Sequence, residues 1–412
     1  MFALLGRLGP GIVFAAMAIG VSHLVQSTRA GAEYGLSLLA LVILASLVKY
    51  PLFRFAVQYS AITGKSLLYV YKDTGFYAKW LLIISVLIDL FISTAAVALL
   101  TAGIIKYVLG LSIADIWVVL IVFACLCSLL VASGYGLFEK FSKLMVFTFT
   151  LLCFITVAII APDGFNSTTS LFPNIEITSG FLLFLVAMAG WMPNPPSASF
   201  FLSAWSAVKH NKDHSDNEAK QNVKNVLFDI NTGYIITIII AICFVFIGAV
   251  LIYRTGVDFP QSSPAGFAKF LISLFTDTMG QWIFPIIGTT AIVVMVSTQF
   301  ALMDGSPRML SRIFSSDQDN KSLYVAFLLM QLAGVMVIIY FFTSSFGVFI
   351  DFATSISFTT APFIAILNHK AMISDEIPVE HRPSFLLQLW SVIGIITMFA
   401  AGGYFLYMKL LG

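Results

Sequence analysis

"AMAGWMPNPPSASFFLSAW", residues Ala187–Trp205, decides how this chain folds. The stretch is apolar on both sides, yet it places Pro193, Pro195 and Pro196 within four residues. Proline removes a backbone donor and clashes with the preceding turn. No regular helix passes through such a cluster. A second irregular stretch, "AIGVSHLVQSTRAGAEYG" at Ala18–Gly35, follows an apolar run and interrupts it with Gly20, Ser22 and His23. It then adds Gln26, Arg29 and Glu33.

The surrounding composition says where these breaks lie. The chain is 59% hydrophobic and only 10% charged over 412 residues, against about 25% charged in a soluble domain. Mean hydropathy is +0.97. This predicts an all-α polytopic membrane protein. Spanning helices need roughly 20 apolar residues, and about eleven such stretches are readable. They cover 8–34, 36–62, 78–107, 115–133, 138–161, 179–205, 228–254, 278–304, 322–343, 345–369 and 384–410. No soluble domain is expected between them, and no cleavable leader precedes them. The segment 207–225 is read as a solvated loop, although His210 and His214 stand four apart in it. Cys125, Cys127, Cys153 and Cys243 lie in apolar stretches and read as small buried hydrophobes.

Lysine and arginine cluster in alternate loops: Lys65–Lys79, Lys140–Lys143, Lys209–Lys224, Arg308–Lys321 and Lys370–Arg382. By the positive-inside rule the N-terminus is cytoplasmic and the C-terminus outside, in the cell (inner) membrane.

Irregular backbone at membrane depth is tolerated only where protein or a watery cavity covers it. The breaks fall in the first and sixth spans. That spacing predicts a transporter built from two inverted five-helix repeats, with substrate held between the breaks. The expected repeats are 8–161 and 179–369, with 384–410 as a peripheral eleventh helix within one domain, 1–412.

Several short motifs occur in order: "GPG" at Gly9–Gly11, "AGAEYG" at Ala30–Gly35, "TGKSL" at Thr63–Leu67, "SGYGLFEK" at Ser133–Lys140, Met192-Pro193 and "APF" at Ala361–Phe363. Together they resemble the NRAMP family of divalent-metal transporters. The resemblance implies a LeuT-type fold, a divalent-metal substrate and coupling to protons. It also implies metal-binding Asp, Asn and Met side chains at Asp-Pro-Gly-Asn and Met-Pro-His motifs. Here those motifs read Gly20-Val21-Ser22-His23 and Met192-Pro193-Asn194. The carboxylate has become Gly20. Hard divalent cations want carboxylate oxygen, so manganese is expected to bind weakly. His23 and Met192 are the residual metal ligands. The competing substrate is a small anion or polar solute, held by the positive ends of half-helices. A sensor without transport is the remaining alternative.

The expected substrate site is Gly20, Ser22, His23, Gln26, Met192 and Asn194. His23 reads as a ligand or titrating gate, or as a neutral cap on broken backbone. Asp89, Arg29 and Glu33 are the proton-path or gate residues. Arg29 meets either an anion or Glu33, one turn away. Asp89 either carries protons or bonds a neighbouring serine. Asp229 and Asp304 read as hydrated gates or caps, and Asp351 as a vestibule residue or salt-bridge partner. Gln299 either lines the pathway or bonds a neighbouring helix. The expected partners are a small inorganic ion or polar solute, the lipid bilayer and possible protons. No enzyme activity, cofactor or nucleic acid is expected, and oligomeric state is left open.

Overall fold

A computed structural model describes residues 9–132, 135–165, 170–210, 216–253, 255, 263–315, 320–342 and 346–410. The histidine pair at 210 and 214 lies outside the described side chains. Among the described residues, eight helices are long and apolar enough to cross a membrane. Helices α1 (Pro10–Ala18) and, after a π-helical turn at Ser22–Ser27, α2 (Thr28–Tyr34) form one further span, bent by 49°. The other long elements are α3 (Leu39–Thr63), α5 (Phe76–Ile88) continued by α6 (Thr94–Leu109), α7 (Asp115–Ala132) and α8 (Tyr135–Phe165). The sixth span is split into α9 (Ser179–Trp191) and α10 (Ala198–His210). Then follow α11 (Asp216–Gly248), α13 (Phe284–Phe314), α14 (Lys321–Phe342), α15 (Phe346–Thr359), α16 (Ala361–Ile373) and α17 (Phe385–Leu410). Each stretch read as a span carries helix.

Two shorter helices complete the order: α4 (Leu67–Asp73) and α12 (Pro264–Met279). The second lies between the expected spans 228–254 and 278–304, where the span reading places no helix. Ser263 caps it by accepting from Gly266 N, with Pro264 at the first helical position. That pair is a legible helix start.

Burial sorts the spans into layers. The best 18-residue windows of α11 and α13 are 61% and 67% buried within the protein, whereas those of α14 and α17 are 22% buried. The latter two form the rim, and their exposed Leu329, Tyr340, Leu386 and Ile396 face the lipid. The cysteine expectation needs correction here. Cys153 and Cys243 are buried, but Cys125 is exposed on the outer face, because a membrane surface accepts apolar side chains outward.

The first and seventh spans pack with almost no side chain between them. A Cβ on Gly233 would collide with the Gly11 carbonyl, and one on Gly248 with the Thr28 carbonyl. Small residues let helix backbones approach in this way. Asp229, on α11, completes the contact: its two carboxylate oxygens accept from Gly9 N at 2.9 Å and Gly11 N at 2.8 Å. It therefore caps α1, whose first N–H groups have no partner within the helix.

Candidate functional site

The first break begins where α1 runs out of intrahelical partners. Ser22 Oγ lies 2.9 Å from the Ala18 carbonyl and draws it away from the helical ladder. Thr298, from α13, reaches the same region: its hydroxyl lies 3.1 Å from the Ala16 carbonyl. Gly20 sits against this threonine. A Cβ there would be 3.2 Å from Thr298 Cγ2 and 3.4 Å from Thr298 Oγ1. A side chain at position 20 therefore has to push Thr298 aside.

His23 is fully buried. Its Nε2 lies 2.9 Å from the Thr237 carbonyl on α11, which can only accept, so Nε2 carries the proton. Its Nδ1 lies 2.8 Å from Ser22 Oγ. Ser22 has one proton for two acceptors, the Ala18 carbonyl and neutral Nδ1. If Nδ1 is protonated as well, it donates to Ser22 Oγ, which donates to Ala18, and every group is satisfied without rotation. In this arrangement neither ring nitrogen presents a free lone pair to a metal.

The second break follows Trp191. Met192 is extended rather than helical and is fully buried in an apolar cluster with Ala30, Phe184, Met188 and Val245. Asn194 Nδ2 donates to the Phe14 carbonyl on α1 at 2.9 Å, tying the two breaks together. Its Oδ1 is buried without a partner. The end of α9 has an unexpected cap. Lys49, from mid-α3, places Nζ 2.6 Å from both the Ala189 and Gly190 carbonyls.

Further along α2 a polar knot forms. Arg29 donates Nε to Glu33 Oε1 at 2.9 Å and Nη1 to Asp351 Oδ2 at 2.8 Å. Gln26 Nε2 donates to the other Asp351 oxygen at 2.9 Å. The Arg29 guanidinium also stacks over Phe184, 4.6 Å from the ring centre. The knot joins the first, sixth and tenth spans. It settles Arg29 and Asp351 as ion-pair partners. The Asp351 side chain is 33% exposed, so the knot faces an opening rather than the packed core.

Asp89 is buried on α5–α6 at a second π-helical turn, Asp89–Ser93. Ser93 donates to its Oδ1 at 2.8 Å, while Oδ2 has no hydrogen-bond partner. Ser197, just past the second break, lies beside this carboxylate. Gln299 is fully buried next to Thr298, and neither of its polar ends has a partner. Asp304 pairs with Arg308 and accepts from Tyr324.

Sequence reasoning missed Lys49, Thr237 and Thr298. Lys49 carried a signal, an ionisable residue in mid-span. The other two carried none, because a carbonyl and a helix-facing hydroxyl are common anywhere. Among the described residues, no three His, Cys, Asp or Glu side chains group as metal ligands would.

Split spans facing each other inside an all-helical bundle define a multi-pass membrane protein with the LeuT-type transporter fold. Three solved structures share it. A mutant of the manganese transporter of Eremococcus coleocola aligns with a TM-score of 0.75 at 13% identity, over 97% of this chain and 85% of that one. Mhp1, a nucleobase-cation-symport-1 family transporter, gives 0.63 at 14% identity, over 98% and 92%. MhsT in complex with L-phenylalanine gives 0.65 at 13% identity, over 95% and 98%. The family follows from sequence. The chain belongs to the Nramp family, whose model for natural resistance-associated macrophage protein-like proteins matches residues 11–408. An uncharacterised protein of Pasteurella multocida (strain Pm70) is 32% identical over 401 residues, covering 95% of this chain and 89% of that relative.

Proposed function

We propose that the chain is an alternating-access secondary transporter of a small ion, with the substrate held between the two breaks. The observation that carries this reading is the Asn194–Phe14 bond, which ties the second break to the first half of the broken first span. The buried, unpartnered Asn194 Oδ1 and Gln26 Oε1 beside them are groups a substrate would satisfy. The repeats 8–161 and 179–369, the cytoplasmic N-terminus and the inner-membrane location belong to the same reading.

The family's cargo is a divalent metal, and the Eremococcus relative is a manganese transporter. We infer that manganese binds this chain weakly. Gly20 supplies no carboxylate, His23 has both nitrogens engaged, and Met192 packs against apolar neighbours. Hard cations gain little from what remains. A small anion or polar solute is the second reading. It is favoured by Lys49, a buried amine donor with no acidic partner among the described residues.

The test is uptake into proteoliposomes across manganese, magnesium, zinc, bicarbonate, nitrate and small organic acids. Gradient-driven accumulation of one of them supports a carrier. No uptake of any would favour a sensor on the same fold. Calorimetric titration with manganese should show weak binding. Micromolar binding lost in Met192→Ala or His23→Ala would overturn the weak-metal claim.

A further inference from the structure

The end of α9 is a place built for a cation. Pro193, Pro195 and Pro196 bring no backbone donors to the chain that follows, so the last carbonyls of the helix lack partners. Those carbonyls are also the negative end of the helix dipole. Ala189 and Gly190 turn theirs toward a single point in α3, and Lys49 Nζ is 2.6 Å from each. Gly190 also lets α9 pack tightly on α15, since a Cβ there would collide with the Thr354 carbonyl. On a further side, Phe358 of the same helix offers its ring face at 5.1 Å from Nζ, the arrangement of a cation–π contact. Lys49 is 1% exposed.

Two carbonyls and an aromatic face form a cation seat with no carboxylate in it. A charge buried alone is expensive, so the seat is organised around the ammonium. We propose that Lys49 is a resident, covalently tethered cation that holds this position at the second break and excludes a free metal ion from it. The substitution at Gly20 fits the same arrangement. In its ammonium form Lys49 places +1 at the break, so an additional divalent cation meets repulsion, and the carboxylate that would offset it is gone. Lys49 therefore selects against the family's class of cargo. The proposal rests on the reading of the two breaks as the transport site.

The experiment compares manganese binding by the full chain in lipid nanodiscs, followed by the electron-paramagnetic signal of bound Mn²⁺. The variants are wild type, Lys49→Ala, Lys49→Gln and Lys49→Arg. Removing one charge a few ångströms from a divalent ion is expected to raise affinity at least about tenfold in Lys49→Ala. Lys49→Gln keeps a donor for the carbonyls and loses the charge. It should show the same gain, and it decides the matter if Lys49→Ala does not fold. Lys49→Arg keeps the charge and should bind no better than wild type. Equal manganese affinity in wild type and Lys49→Gln would overturn the proposal. So would an equal gain in Lys49→Arg. Failure of every uptake assay would remove the transporter reading and leave this binding comparison intact.

Discussion

At the scale of single residues, His23 is held from both ends, and its replacement should separate structure from transport. His23→Phe fills the space but removes the ring N–H that the Thr237 carbonyl accepts in addition to its own helical donor. Losing a buried hydrogen bond of this kind costs about 0.5–1.5 kcal/mol. The midpoint of thermal unfolding in detergent should fall, while His23→Gln, which can still donate to Thr237, should lose less. If uptake survives in His23→Gln as in wild type, the ring itself takes no part in transport. Gly20 gives a second expectation. The Cβ introduced by Gly20→Asp lies 3.2 Å from Thr298 Cγ2 and crowds the side chain whose hydroxyl is 3.1 Å from the Ala16 carbonyl. The single substitution should therefore destabilise the fold, and Gly20→Asp with Thr298→Ala should recover part of the loss in the same melting assay. The identities of His23 and Asn194 were legible because motif order placed them at the breaks. Their bonds were not, since both end on backbone carbonyls of distant spans, and any residue supplies a carbonyl. Lys49 is the sharper case. Its partners lie 140 positions away, and without an acidic residue at helical spacing nothing local announced them.

At the scale of elements, the close crossing of α1 on α11 depends on the lack of a side chain at Gly11 and Gly233. Gly233→Val forces the helices apart. Overpacking of this kind costs about 1–3 kcal/mol, which should appear as a lower melting temperature and poorer recovery of monodisperse protein. A loop contact offers a pH test away from the membrane. Glu376, between α16 and α17, accepts from Tyr59 Oη at 2.6 Å and from Lys65 Nζ at 3.1 Å. The Tyr59 hydroxyl first, and Lys65 second, hold its carboxyl below the usual 4.5. A depressed folded-state value means that the contribution is present above the unfolded value and is lost as pH falls through the folded one. Glu376→Gln should therefore melt below wild type near pH 6, and the gap should close in acid below about pH 4. The pair is well exposed to solvent, so the gap will be small. A gap independent of pH would show that the glutamate acts by packing. The broken spans themselves were legible, because proline acts on its own backbone and needs no partner. The helix at Pro264–Met279 was missed because it is amphipathic, and a search for apolar spans passes over it.

At the scale of the whole molecule, Asp89 sits where a proton could cross between the third span and the second break, beside Ser197. Asp89→Asn should abolish the dependence of uptake on a pH gradient while leaving downhill exchange of substrate in place. Identical gradient dependence in the two proteins would exclude Asp89 from coupling. The bundle's outline followed from hydropathy, which acts over whole spans. The layering left a weaker trace: α14 is the more apolar, with a mean hydropathy of 2.4 against 1.8 for α13, and it faces lipid while α13 is buried.

The glycine contacts of the first span carry one more consequence. Both halves of that span are fastened to α11, through Gly11 with Gly233 and through Thr28 with Gly248. The first half of the sixth span is fastened instead to α15, at Gly190 against Thr354. The two walls of the site thus rest on different helices. Any rocking that parts α9 from α3 has to lift the Ala189 and Gly190 carbonyls off Lys49, and any that parts the breaks has to give up the Asn194–Phe14 bond. Bolting α1 to α11 by a cross-link should leave turnover intact, while bolting α9 to α3 should stop it.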